Sequence, residues 1–187
     1  MHTLALTVAI FLLLVVMAVF LLFLSSVLAQ IRWFVPFVPT PKTVASAMLE
    51  LARLKPGDKV ADLGAGDGRL IIMAKRLEPG ISAVGYEGAF GVWLLGKLRF
   101  YLSGTTADFE CKNFYKQDLS KYDVILTYLS VDAMRKLKEK FSRELKPGTR
   151  IVSHAFRLPD MEAVEQKKVP HFIGAKTTVY SYVWGKQ

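Results

Sequence analysis

A single cysteine, Cys111, stands among 187 residues, so no intramolecular disulfide can form and a reducing compartment suits the chain. Three histidines (His2, His154, His171) and that one thiol offer no ligand spacing for a metal, and none is expected. Ser153 and His154 are adjacent, which on a strand sends their side chains to opposite faces and excludes a nucleophilic triad built on them. Zinc spacing and basic–aromatic alternation are both missing, so no nucleic-acid partner is expected. Fixed charge is missing as well, from His2 through Ile31.

That uncharged stretch is apolar from Leu4 to Leu24 except for Thr7. Roughly 20 apolar residues at about 1.5 Å each cross a bilayer core of about 30 Å. Residues 1–31 therefore read as a retained transmembrane anchor. Arg32 and Trp33 follow, a cation and an indole suited to the headgroup layer. A signal peptide cut after Val27-Leu28-Ala29 is the competing reading, but no cation precedes the apolar run, which is also long for one. Arg32, Lys42, Arg53 and Lys55 lie on the C-terminal side, which sets a single-pass protein with its domain in the cytoplasm. The net charge of +9 would draw the domain to anionic lipid or an acidic partner. The basic run Arg135, Lys136, Lys138, Lys140, Arg143 is interleaved with acids and reads as a solvated helix face.

Prolines 36, 39 and 41 make residues 32–41 an extended linker. Residues 42–187 form the domain. An amphipathic helix is expected over 42–54, then strands at 59–63, 82–87, 107–112, 123–129 and 149–156. Helices fit 68–77, 89–102 and 132–145, with an irregular turn at 114–121. Strands alternating with helices predict parallel pairing with right-handed crossovers. Two β-like runs, 168–171 and 177–184, flank Gly174 and should form an antiparallel edge hairpin. The fold expected is α/β: a Rossmann-like open sheet of seven strands, mostly parallel, behind one membrane helix.

The densest signal is Asp62-Leu63-Gly64-Ala65-Gly66-Asp67-Gly68, where an apolar strand runs into a turn with glycine at alternate positions. Glycines in a strand-to-helix turn permit positive φ and let a ligand approach bare backbone. The dinucleotide fingerprint would need glycine where Arg69 stands. Glu87 ends the next apolar run, where a carboxylate accepts from both hydroxyls of a ribose. The pair suggests an adenosine ligand without a pyrophosphate, and S-adenosylmethionine fits.

Ligands of open α/β sheets lie beyond the carboxyl ends of the strands. Those ends collect Asp62 with Gly64, Ala65 and Gly66, then Glu87, Asn113 with Phe114, Tyr128 and His154. Asn113 suits an adenine edge, and Phe114 suits its face or plain core packing. Asp62 either touches the ligand or orients the turn from behind. Asp67 is expected to cap the following helix. Tyr128 is expected to line an acceptor channel, or to be an ordinary rim aromatic. His154 is a candidate proton acceptor, or a histidine satisfied by backbone. The apolar helix around Trp93, Leu94, Leu95 and Leu98 is expected to pack on the sheet. Methyl transfer from a sulfonium needs no nucleophile or metal, only an acceptor held in line and unprotonated.

With these motifs, the chain resembles the class I S-adenosylmethionine-dependent methyltransferases over about residues 40–187. Val38-Pro39-Thr40-Pro41 and Arg143-Glu144-Leu145-Lys146-Pro147-Gly148-Thr149-Arg150-Ile151-Val152-Ser153-His154 narrow the resemblance. Together with the membrane helix, they are similar to small prokaryotic relatives of the mitochondrial lysine methyltransferase that modifies the ATP synthase c-subunit. That resemblance implies S-adenosylmethionine held by Asp62, Gly64, Gly66 and Glu87, with Asn113 and Phe114 on the adenine side. It implies that Pro39 and Thr40 fold over the cofactor as a lid, and that the acceptor is a lysine of a membrane protein. The chain departs from the pattern after Glu87, where Gly88-Ala89-Phe90-Gly91-Val92-Trp93 replaces an Asn-Pro-Trp-like run. It also lacks the Asn/Asp-Pro-Pro-Tyr/Phe motif of amino-methylating nucleic-acid and glutamine enzymes. A lipid or quinone acceptor, and a catalytically silent interaction module, are the alternatives.

Overall fold

The structure, a computed structural model, describes residues 2–33, 38–171 and 175–185, so Phe34, Pro36 and Phe37 of the expected linker and Gly174 of the expected hairpin lie outside the described residues. Helix α1 (His2–Trp33) is unbroken over 32 residues, two beyond the expected end at Ile31. Its Thr3–Leu24 stretch is long and apolar enough to cross a membrane, and none of its residues is fully buried.

Helix α2 (Lys42–Ala52) follows Pro41, whose missing N–H costs nothing at a helix start. It buries Val44, Ala47, Met48 and Leu51. It stops short of the expected Leu54 because Arg53 turns left-handed, at φ 48°. The alternation then runs β1 (Lys59–Leu63), α3 (Arg69–Leu77), β2 (Ser82–Glu87), α4 (Phe90–Ser103), β3 (Asp108–Cys111), β4 (Val124–Thr127), α5 (Val131–Glu144), β5 (Arg150–His154), β6 (Glu165–Pro170) and β7 (Lys176–Val183). A single 3-10 turn, Phe114–Lys116, lies within the expected irregular segment.

The seven strands form one sheet in the order β3-β2-β1-β4-β5-β7-β6. The first five are parallel, and β7 runs antiparallel to both β5 and β6. This is the Rossmann-like sheet with an antiparallel edge that the sequence predicts. Strand alternation divides the interior between two faces. Val60, Leu126 and Val152 meet α2 and α3 on one side, whereas Ala61, Leu63, Ile125 and Ile151 meet α5 on the other. On that second face Met134, Leu137 and Phe141 of α5 are fully buried. Each contributes about 1.5–3 kcal/mol of burial.

Three helix expectations need correction. Lys140 is buried rather than solvated, and pairs with Glu144 at 2.5 Å. Glu144 in turn accepts from the Leu119 N–H, so the buried charge is compensated on both sides. Helix α4 buries only Val92, Gly96 and Phe100 against the sheet. Leu94, Leu95 and Leu98, expected to pack there, are exposed. The N-cap position of α3 is Gly68, at φ 72°, so the expected Asp67 cap is shifted by one residue: Asp67 Oδ1 accepts from the Arg69 N–H at 3.3 Å from just outside the helix.

The winding direction reverses between β1 and β4, which opens a crevice at their carboxyl ends. Register aligns those ends. Leu63 pairs with Tyr86 on one side and Thr127 on the other, and Thr127 pairs with Ser153. The next residue of each strand therefore forms one row: Glu87, Gly64, Tyr128, His154.

Candidate functional site

The row is built around the turn after β1. Gly64, Gly66 and Gly68 all have positive φ, at 78°, 59° and 72°. A Cβ on Gly64 would come within 2.8 Å of Leu129, and one on Gly68 within 2.2 Å of Phe100. These two glycines are thus required by the chain's own packing, apart from any ligand. Gly64 and Ala65 both donate to the Tyr86 carbonyl at 2.9 Å, which fastens the turn to β2.

Glu87 completes the fastening. Its carboxylate accepts from the Gly66 N–H at 2.9 Å and the Ala89 N–H at 2.7 Å. Each oxygen still has acceptor capacity for a ligand hydroxyl. Burial raises the Glu87 carboxyl above its ordinary range, against those backbone hydrogen bonds. Asp62, behind the turn and only 4% exposed, is pushed up to about 8, by burial first and then by the charges of Glu87 and Asp67. Neither carboxyl has a cation among the groups that shift it.

Asp67 is the contrast. Arg69 contacts it at 2.8 Å and Arg99 at 3.0 Å, and despite burial its carboxyl is held below the ordinary range. Arg69 also donates to the Thr40 carbonyl at 3.0 Å. The segment before α2 is thereby tied to the start of α3, beside the glycine turn. Sequence reasoning misses this bridge. Its one clue is Arg69, standing where a dinucleotide site would have glycine.

On the other side of Glu87, Asn113 uses its side-chain oxygen to cap the 3-10 turn, accepting from Tyr115 N–H at 2.9 Å. The cap leaves its amide N–H groups uncommitted to that bond. Phe114 is buried in the α5-side core, its edge near Gly64 and its ring centroid 4.4 Å from that of Tyr115. Tyr128 and His154 stand further along the row, about 10 and 14 Å from Glu87 at the usual strand spacing. Their ring centroids lie 3.9 Å apart with the planes tilted by 38°, Tyr128 half-buried and His154 fully buried. His154 is satisfied by a side chain rather than by backbone: Nε2 bonds Thr177 Oγ1 at 3.0 Å, while Nδ1 is buried without a partner. Burial, then the charge of His171, lowers the imidazole to about 4.

S-adenosylmethionine fits this donor set. Asp62 is a buried and Glu87 a half-buried carboxyl, neither with a cation among the groups that shift it, at a turn whose backbone is bare, and the ligand carries hydroxyls and cationic groups. Asp62, Gly64, Ala65, Gly66 and Glu87 would hold it, within reach of Thr40 and Asn113.

Comparison with known proteins agrees. The profile of the ANTKMT methyltransferase domain matches residues 62–165. A protein-lysine N-methyltransferase of Saccharolobus islandicus is 38% identical over 154 residues, 81% of this chain and 95% of that protein. The adenine nucleotide translocase lysine N-methyltransferase of Mus musculus is 33% identical over 140 residues, 72% of this chain, which spans 58% of that protein. Among solved structures, an RNA methyltransferase from Salinibacter ruber bound to S-adenosyl-L-homocysteine superposes with a TM-score of 0.70 at 32% identity. That superposition covers 78% of this chain and 93% of the other. From the sheet order, the carboxylate-fastened turn and these matches, the chain belongs to the ANTKMT methyltransferase domain family and is an S-adenosylmethionine-dependent methyltransferase.

Proposed function

We propose that the chain methylates the ε-amine of a lysine on a protein at the cytoplasmic membrane surface, to which α1 tethers it in a single pass. The observation that carries the lysine reading is the 38% identity, across 95% of its length, to a protein-lysine N-methyltransferase. The span-length apolar α1 carries the membrane reading.

Roles follow the row. Asp62, Gly64, Ala65, Gly66 and Glu87 hold the cofactor, Asn113 and Phe114 border its adenine side, and Thr40 closes over it through Arg69. Bound there, S-adenosylmethionine supplies a methyl carbon already activated by its sulfonium. The acceptor enters over β4 and β5, past Tyr128. A lysine must arrive as the free amine to attack. His154 cannot take its proton, because an imidazole near 4 is far too weak a base for an ammonium near 10. Burial likewise raises the Tyr128 phenol, so it keeps its proton. The half-buried aromatic mouth instead disfavours the charged ammonium, which leaves its proton to solvent on entry. His154 then serves as the support that orients Tyr128.

The Salinibacter relative's description makes RNA the alternative acceptor. Incubating membranes, total RNA and lipid extracts from a strain lacking this gene with full-length protein and methyl-labelled S-adenosylmethionine separates the readings. Label on a lysine of a membrane-fraction protein, located by mass spectrometry, is expected. Label confined to RNA or lipid overturns the lysine assignment.

A further inference from the structure

Helix α4 is apolar on every side, a composition that normally marks a buried helix. Yet only one side is buried. Val92, Gly96 and Phe100 meet the sheet, and the opposite arc exposes Leu94, Leu95, Leu98, Tyr101 and Leu102. Leu102 is 74% exposed and Tyr101 84%. No acidic residue occurs in the helix, and its two cations fall at the borders of the exposed arc, Lys97 on one side and Arg99 on the other. Lys97 lies over the Trp93 ring at 5.6 Å, and Arg99 reaches back to Asp67. Apolar arc, cations on both shores and an amphipathic tyrosine match a helix lying in a membrane interface.

Helix α1 supplies the independent observation. It rests against α4, yet the arc stays open with α1 in place. The span-length helix therefore meets the domain at the helix that carries this exposed apolar arc. Granting that α1 crosses the bilayer, as proposed above, we infer that the exposed face of α4 docks into the lipid surface, lying flat beside the point where α1 emerges.

The consequence concerns the site. α4 begins three residues after Glu87, so its first turn adjoins the cofactor turn and its axis runs back along the sheet. With α4 flat on the lipid, the strands lie roughly parallel to the membrane and the row of Glu87, Gly64, Tyr128 and His154 opens sideways, close to the surface. The enzyme is thereby fitted to an acceptor lysine just outside the bilayer rather than one on a tall soluble domain.

Spin labels on full-length protein in liposomes test the docking. In a Cys111→Ser background, single cysteines are placed at Leu98 and, separately, Leu102, on α5 at Lys136 as an aqueous control, and at Val16 to report the span. Binding of S-adenosyl-L-homocysteine confirms that each variant is folded. Leu98 and Leu102 labels should collide with oxygen severalfold more, relative to a water-soluble nickel complex, than the Lys136 label. A water-like ratio at both, with Val16 in lipid, overturns the docking and leaves the anchor standing. Protection from both reagents, with dipolar coupling between labels, overturns it in favour of a second copy covering α4. Loss of lipid contact at Val16 as well overturns docking and anchor together.

Discussion

Asp62 has a charge that depends on what binds beside it. A carboxyl whose folded value is raised from 3.8 to about 8 is most compatible with the fold when protonated. Its contribution to ligand-free stability is therefore complete below the unfolded range and is lost as pH rises towards 8. A cationic ligand reverses the preference, since it favours the carboxylate. Binding of S-adenosylmethionine near pH 7 should then expel a proton, and affinity should rise up to about tenfold per pH unit before flattening near pH 8. Calorimetry in two buffers of different ionisation heat measures the proton. Asp62→Asn should abolish both the release and the slope, and an unchanged slope would refute the role given to Asp62. Glu87→Ala removes two charge-assisted acceptors, so cofactor affinity should fall by about 100-fold or more in the same instrument.

At the scale of elements, the turn and its neighbours divide into parts that serve the fold and parts that serve the ligand. Gly68 sits at φ 72° with Phe100 where a Cβ would go, so Gly68→Ala should cost about 2–4 kcal/mol in urea unfolding. Arg69→Ala should cost little stability, because Arg99 still neutralises Asp67, but it frees Thr40. Its expected signature is faster cofactor release in stopped flow; an unchanged release rate would remove Thr40 from the closure. The same division explains what can be read from sequence. The β1–turn–α3 unit is legible because its apolar run, glycines and helix start are all local. Strand β6 reads too short, since Glu165, Gln166 and Lys167 show no apolar alternation. As an edge strand it turns polar residues outward, where Lys167 meets Glu50 and Glu165 meets Arg53 on the α2 side. The open side of α4 escapes the sequence for the complementary reason: apolar sequence says that a face avoids water, not which partner covers it.

At the scale of the whole molecule, α1 should act through concentration rather than chemistry. Tethering an enzyme to the bilayer of its acceptor converts encounter from three dimensions to two, which raises effective concentration when geometry permits. The residues assigned to the site fall within 40–154, all beyond the end of α1, so deleting residues 1–33 should leave cofactor affinity intact, as calorimetry can show. Methylation of a lysine peptide free in solution should likewise keep its kcat. Methylation of an acceptor in native membranes should fall steeply, because only α4 remains to hold the domain there, and adding Leu98→Glu to the truncation should lower it further. Equal loss on peptide and membrane would mean that α1 is part of the fold. Full activity of the truncated chain on membranes would mean that the apolar helix does not bring this enzyme to its acceptor.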